Sequence, residues 1–68
     1  MYNDIRVGSH YTFDLTVPGA KGQEYRELVS GRVLEKVQIK ETKFLVLDQQ
    51  RVINMDYVTR ALGEFVTG

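Results

Sequence analysis

Phe44-Leu45-Val46-Leu47 sets four apolar side chains in a row within a chain of 68 residues. Successive side chains on a strand point to opposite faces. A run of this kind therefore needs cover on both sides, as central strands of closed or sandwiched sheets have. A polar joint, Asp48-Gln49-Gln50, separates it from a second β-rich run that begins at Arg51. A chain this short hides only about 60% of the surface its unfolded form exposes. Small domains offset that thin margin with disulfides, a metal or self-association. The chain has no cysteine and one histidine, which excludes disulfides and leaves no usual nitrogen and sulfur ligand set for a metal. Packing and self-association remain.

The rest of the chain reads as strands punctuated by turns. In HYTFDLTVP, residues 10–18, Tyr11, Phe13, Leu15 and Val17 alternate with His10, Thr12, Asp14 and Thr16. This period of two marks a half-buried strand, and Val7-Gly8-Ser9 supplies a turn before it. Pro18-Gly19-Ala20-Lys21-Gly22-Gln23 reads as a loop, because proline pre-sets φ and glycine admits positive φ. Residues 24–40 form a long β-rich stretch. Odd positions there carry Tyr25, Val29, Gly31, Val33, Val37 and Ile39; even positions carry Arg26, Arg32, Lys36, Gln38 and Lys40. Glu35 falls on the apolar side, and Leu28 and Leu34 on the polar side. A bulge near Gly31 or Glu35 repairs part of this, since one extra residue inverts every side chain beyond it. Residues 42–48 make a third strand and 51–54 a fourth.

The tail admits two structures. Met55, Val58, Leu62 and Phe65 have helical spacing, with Asn54 as an N-cap and Gly63 as a terminator. The alternative is one helical turn over 54–58 followed by a fifth strand near 59–62. The second is preferred, because four strands leave an edge that a fifth closes.

This order resembles the small β-barrels of the Src-homology-3-like and Sm-like type, which include Tudor and KOW modules. The resemblance is carried by Val7-Gly8-x-x-Tyr11-x-Phe13, Ser30-Gly31-x-Val33, Phe44-Leu45-Val46-Leu47 and Ile53-Asn54-Met55-Asp56-Tyr57-Val58. It covers residues 5–62 and implies an all-β, five-stranded barrel, with 1–68 as a single domain. It also implies edge-strand pairing between copies, as in Sm-like rings. It transfers no site residue: there is no Sm-type RNA-pocket motif and no aromatic cage, and tryptophan is absent.

Composition narrows function by exclusion. Nine basic and nine acidic residues leave no net charge, unlike a strongly electrostatic nucleic-acid binder. Residues 1–20 lack the apolar core of a signal peptide, and no apolar run approaches the roughly 20 residues that span a bilayer. The expectation is a cytoplasmic protein without membrane association. His10 is the one side chain suited to act as a base at neutral pH. Asp14 shares its strand face but stands about 13 Å away at strand rise, so no oriented nucleophile–base set is expected. PGAKG lacks the spacing and the Lys-Ser/Thr of a phosphate-binding loop. No catalysis and no cofactor are expected.

The side chains that invite binding lie on the even side of the second strand. Arg26, Arg32, Lys36 and Lys40 share parity, and Lys43 follows. Residues 21–43 hold six basic and four acidic side chains, a local +2, against −1 in each flank. Leu28 and Leu34 share that parity. Either the face is basic with apolar spots, as protein interfaces are, or both leucines turn inward past a bulge. The expectation is a non-catalytic protein-binding module, a small adaptor or inhibitor of the kind phage and bacterial accessory proteins provide. Its partner-binding residues are Arg26, Leu28, Arg32, Leu34, Lys36, Lys40 and Lys43. The alternative is a nucleic-acid-binding barrel in which the same cations track phosphates while Tyr25 or Tyr57 stacks on bases. Met55, Tyr57, Phe65 and the Phe44–Leu47 run offer more apolar surface than one small barrel needs, so self-association stays open.

Overall fold

The alternating segment forms strand β1, His10–Pro18, with Phe13 and Leu15 buried. In the computed structural model, which describes residues 1–63, β1 leads through a 3₁₀ turn at Ala20–Gly22 into β2, Glu24–Ile39. Lys21 (φ 58°) and Gly22 (φ 75°) take the left-handed conformation there. Strand β3 is Thr42–Leu47 and β4 is Arg51–Asn54. A second 3₁₀ turn, Met55–Tyr57, delivers the chain into β5, Val58–Gly63. All pairings are antiparallel, in the order β4-β3-β2-β1-β5. The all-β, five-stranded expectation holds.

The 16-residue β2 belongs to both halves of the sheet. Its first half pairs with β1, with Phe13 opposite Val29 and His10 opposite Arg32. Its second half pairs with β3, where Val33 opposes Leu47 but Glu35 opposes Val46. Leu34 is the extra residue of a bulge, which bends the strand and increases its twist. The sheet folds over at this point. Phe13, Leu15, Val29, Val33, Leu45, Leu47 and Ile53 then meet in one cluster with Ile5 from the N-terminal segment.

Gly31 lies just before the bend, and its bare Cα matters. A Cβ there would stand 2.7 Å from Asp48 Oδ1 and 3.3 Å from Leu47 Cδ1. That carboxylate accepts the Arg32 backbone N–H at 3.1 Å, and the Asp48 N–H donates to the Arg32 carbonyl at 3.0 Å. The close approach thus fastens the end of β3 to the middle of β2. On the other side, Gly8 (φ 95°) ends a turn whose N–H donates to the Val33 carbonyl at 2.7 Å, while the Val33 N–H donates to the Ser9 carbonyl at 3.0 Å.

The tail takes the turn-plus-strand structure. Asn54 Oδ1 accepts the Asp56 N–H at 2.9 Å and caps the 3₁₀ turn. β5 then pairs with β1, placing Ala61 opposite Phe13. The open edge of β1 outweighs the helical spacing of Met55, Val58 and Leu62. Phe65 lies outside the described residues, as does the rest of 64–68.

Two substitutions measure these contacts. Gly31→Ala is expected to cost about 1–3 kcal/mol through overpacking against Leu47 and displacement of the Asp48 carboxylate. Leu45→Ala, at a fully buried site, is expected to cost about 2–5 kcal/mol. Urea unfolding with an unchanged slope checks both, and a Gly31→Ala variant as stable as the parent would refute the close-approach account.

Candidate protein-binding surface

The bulge divides the row of like-parity cations between the two faces of the sheet. Before it, odd positions of β2 face the core, so Arg26, Leu28 and Arg32 point outward. After it the parity reverses. Lys36 pairs with buried Leu45, and Gln38 with Lys43, so these side chains lie on the inner face of the sheet. Lys40 stands in the β2–β3 turn at φ 56°. The row is therefore not a single stripe.

The outward members form the mixed face expected from sequence. Leu28 is 72% exposed and Leu34, the bulge residue, 53%. Neither leucine turns inward. Arg26 donates to the Asp14 carboxylate at 2.7 Å. Arg32 is exposed, opposite His10.

The inward lysines have a structural task. Lys36 Nζ donates to the Ile5 carbonyl at 3.0 Å and stands 4.4 Å from the centroid of the Tyr2 ring. Lys43 Nζ lies 5.2 Å from the same centroid. Both cations thus hold the N-terminal 3₁₀ turn, Tyr2–Asp4, against the inner face of the sheet, an attraction that strengthens as the site is withdrawn from water. At the other mouth of the core, Arg51 pairs with Glu27, joining β4 to the β1–β2 hairpin. Beside that pair lies a cleft of about 220 Å³ lined by Leu15, Val17, Val52, Ile53, Asn54 and Tyr57. Tyr25 packs on Gly19, where a Cβ would collide with the ring.

The same reversal that brings Lys36 in sends Val37 and Ile39 out. On the outer face Val37 pairs with Phe44 across β2 and β3, and Val46 with Val52 across β3 and β4. Val37, Ile39, Phe44, Val46 and Val52 line one shallow apolar groove of about 220 Å³. Ile39 is 60% exposed and Val52 61%. An exposed face of an antiparallel sheet ordinarily carries polar side chains. This face is the second side of the Phe44–Leu47 run, whose Leu45 and Leu47 fill the core. Unbroken parity sets Val37 and Ile39 on one side with Val29 and Val33, and the bulge separates the two pairs. The doubly apolar run itself was the signal that the outer face is apolar as well.

No family model matches the chain, and neither a curated protein nor a solved structure matches it. Among the described residues, no helix is long and apolar enough to cross a membrane.

The two kinds of cation separate experimentally. Lys36→Ala removes a charge-assisted hydrogen bond and a contact with the Tyr2 ring, and is expected to cost about 1–2 kcal/mol. Arg26→Ala removes an exposed guanidinium from the Asp14 carboxylate and is expected to change stability by no more than about 1 kcal/mol. Thermal unfolding of both variants checks the contrast, and equal effects would contradict the assignment of Lys36 to the inner face.

Proposed function

We propose that this chain is a non-catalytic protein-binding module of the Src-homology-3-like or Sm-like barrel type, acting in the cytoplasm through the outer apolar face of β2, β3 and β4. The barrel type is supported by the strand order, the long β2 shared between two half-sheets, and the 3₁₀ turn joining β4 to β5. The observation that carries the binding role is the groove of Val37, Ile39, Phe44, Val46 and Val52. Contiguous exposed apolar surface of this kind is a mark of interaction sites. The mixed face of Arg26, Leu28, Arg32 and Leu34 is a secondary contact region, supported by the exposure of both leucines. Protein is favoured over nucleic acid as partner because Arg26, Lys36 and Lys43 are already held by Asp14, Ile5 and Tyr2.

A photo-crosslinking residue placed at Val52, with a control at the exposed loop residue Lys21, tests the assignment in cells. A discrete protein adduct from Val52 that survives nuclease, and its absence from Lys21, is expected. Ile39→Lys is expected to reduce adduct yield about tenfold, the loss of one central apolar contact, and Arg32→Glu to reduce it less. Equal labelling from Val52 and Lys21 would refute the face as the binding surface, and adducts lost on nuclease treatment would favour nucleic acid.

A further inference from the structure

Resting on the reading of this chain as a protein-binding module, we infer that the outer face of β5, β1 and β2 is a second docking surface. Its occupant is an extended acidic segment of a partner protein, with an apolar side chain between two carboxylates. This face lies on the half of the sheet before the bulge, apart from the apolar groove of β2, β3 and β4. β1 runs along its middle, and the outward residues of that strand are short and half-buried: Thr12, Asp14 and Thr16. The flanking strands carry long side chains. On β2, Arg32 stands opposite His10, Leu28 opposite Asp14 and Arg26 opposite Thr16. On β5, Leu62 stands opposite Thr12 and Arg60 opposite Asp14. All five belong to exposed residues. Short residues between two rows of long ones make a trough, with walls about 10 Å apart at two strand spacings. Asp14, Arg26, Glu27 and Leu28 line a shallow cavity of about 400 Å³ at its hairpin end.

The charges of the walls choose the occupant. Arg26, Arg32 and Arg60 against Asp14 alone, three minus one, leave the trough at +2, although the whole chain has no net charge. Arg26 pairs with Asp14, and Glu27 is matched by Arg51. Among the described residues, nothing pairs with the guanidinium of Arg32 or of Arg60. The floor asks for nothing, since Thr12 Oγ1 and Ser30 Oγ share a hydrogen bond at 2.8 Å. Guanidiniums favour planar acceptors that take two N–H groups, which carboxylates and phosphates both supply. The exposed leucines decide between them. Single-stranded nucleic acid gains from aromatic platforms, and no wall residue is aromatic, whereas arginine beside apolar side chains suits a polypeptide. The register then sets the pattern. Arg32 and Arg60 stand at levels four residues apart along β1, about 13 Å at strand rise. An extended segment with carboxylates at its first and fifth positions reaches both. Its third side chain points the same way and falls between Leu28 and Leu62.

Exposed ion pairs each add little, so a short peptide is expected to bind with a dissociation constant of about 1 mM. The blocked peptide Gly-Glu-Ser-Leu-Ser-Glu-Gly, titrated to about 5 mM into the isotope-labelled full chain, covers that range. Two-dimensional NMR is expected to show saturable amide shifts confined to β1, the first half of β2 and β5. Arg32→Glu and Arg60→Glu are each expected to weaken binding about three- to tenfold, and Lys21→Glu, in the hairpin loop, to leave it within about twofold. Replacing both glutamates of the peptide by lysine is expected to weaken it at least about tenfold. The spectrum of each variant reports whether its fold is retained. No saturable shift, or equal binding of the lysine peptide, overturns the acidic segment as occupant. Tighter binding of a short oligothymidylate at the same amides overturns protein as the partner there, in favour of phosphate. Should the peptide fail while Val52 still gives its nuclease-resistant adduct, protein binding stands and only this surface falls. Failure of both overturns both.

Discussion

One extra residue in β2 decides how the whole sheet is arranged. With Leu34 inserted opposite Leu47 and Val46, the strand bends enough for its two halves to serve as opposite walls of the core. Val29 and Val33 come from one side of the bend, and Leu45, Leu47 and Ile53 arrive from the strands beyond it. The insertion also inverts every side chain after it. Lys36 turns to the inner face, where the Ile5 carbonyl and the Tyr2 ring meet it. The N-terminal turn is thus a consequence of the bulge: an inward lysine needs partners, and residues 2–5 supply them. Val37 and Ile39 leave the interior by the same operation.

Most of the architecture was legible because it is written in local patterns. The alternation from His10 to Val17, the loop residues Pro18 to Gln23, and the polar joint at 48–50 each mark one boundary, and each boundary is where the chain turns. Asn54 was legible as a cap because its side chain acts two residues away. The N-terminal turn was not, since Tyr2 and Ile5 act through Lys36, which lies 31 positions after Ile5. The bulge was narrowed to Gly31 or Glu35 and no further. Parity violations at Leu28, Leu34 and Glu35 can each be relieved by an insertion at a different point, and Leu28 is not relieved at all: it remains outside, opposite Asp14.

The candidate site was harder to see for the same reason. A row of cations at like parity is a stripe only if the strand keeps its register, and this one does not. Arg26 and Arg32 on one side and Lys36 on the other answer to different environments. The first two lie in water, where an ion pair adds little. The third is half-buried, and its contacts hold a segment of chain in place. The exchange between faces also explains why apolar side chains accumulate on the outer sheet. Val37 and Ile39 arrive there through the bulge, and Phe44 and Val46 through the uninterrupted run that opens the sequence's central puzzle.

Folding does not require that outer face to be apolar. Leu45, Leu47 and Ile53 fill the core from the inner side of β3 and β4, and a polar residue at position 39 or 52 would leave every one of those contacts intact. β-Branched residues favour strands, but threonine meets that preference without leaving apolar surface in water, as Thr12 and Thr16 do on β1. An aliphatic side chain at each of two positions about 60% exposed, next to a phenylalanine and two more valines, adds aggregation risk to a chain whose β4 edge is also open. Core formation supplies no offset for that risk. A surface that is apolar beyond the needs of the fold is the feature on which the proposed binding role rests.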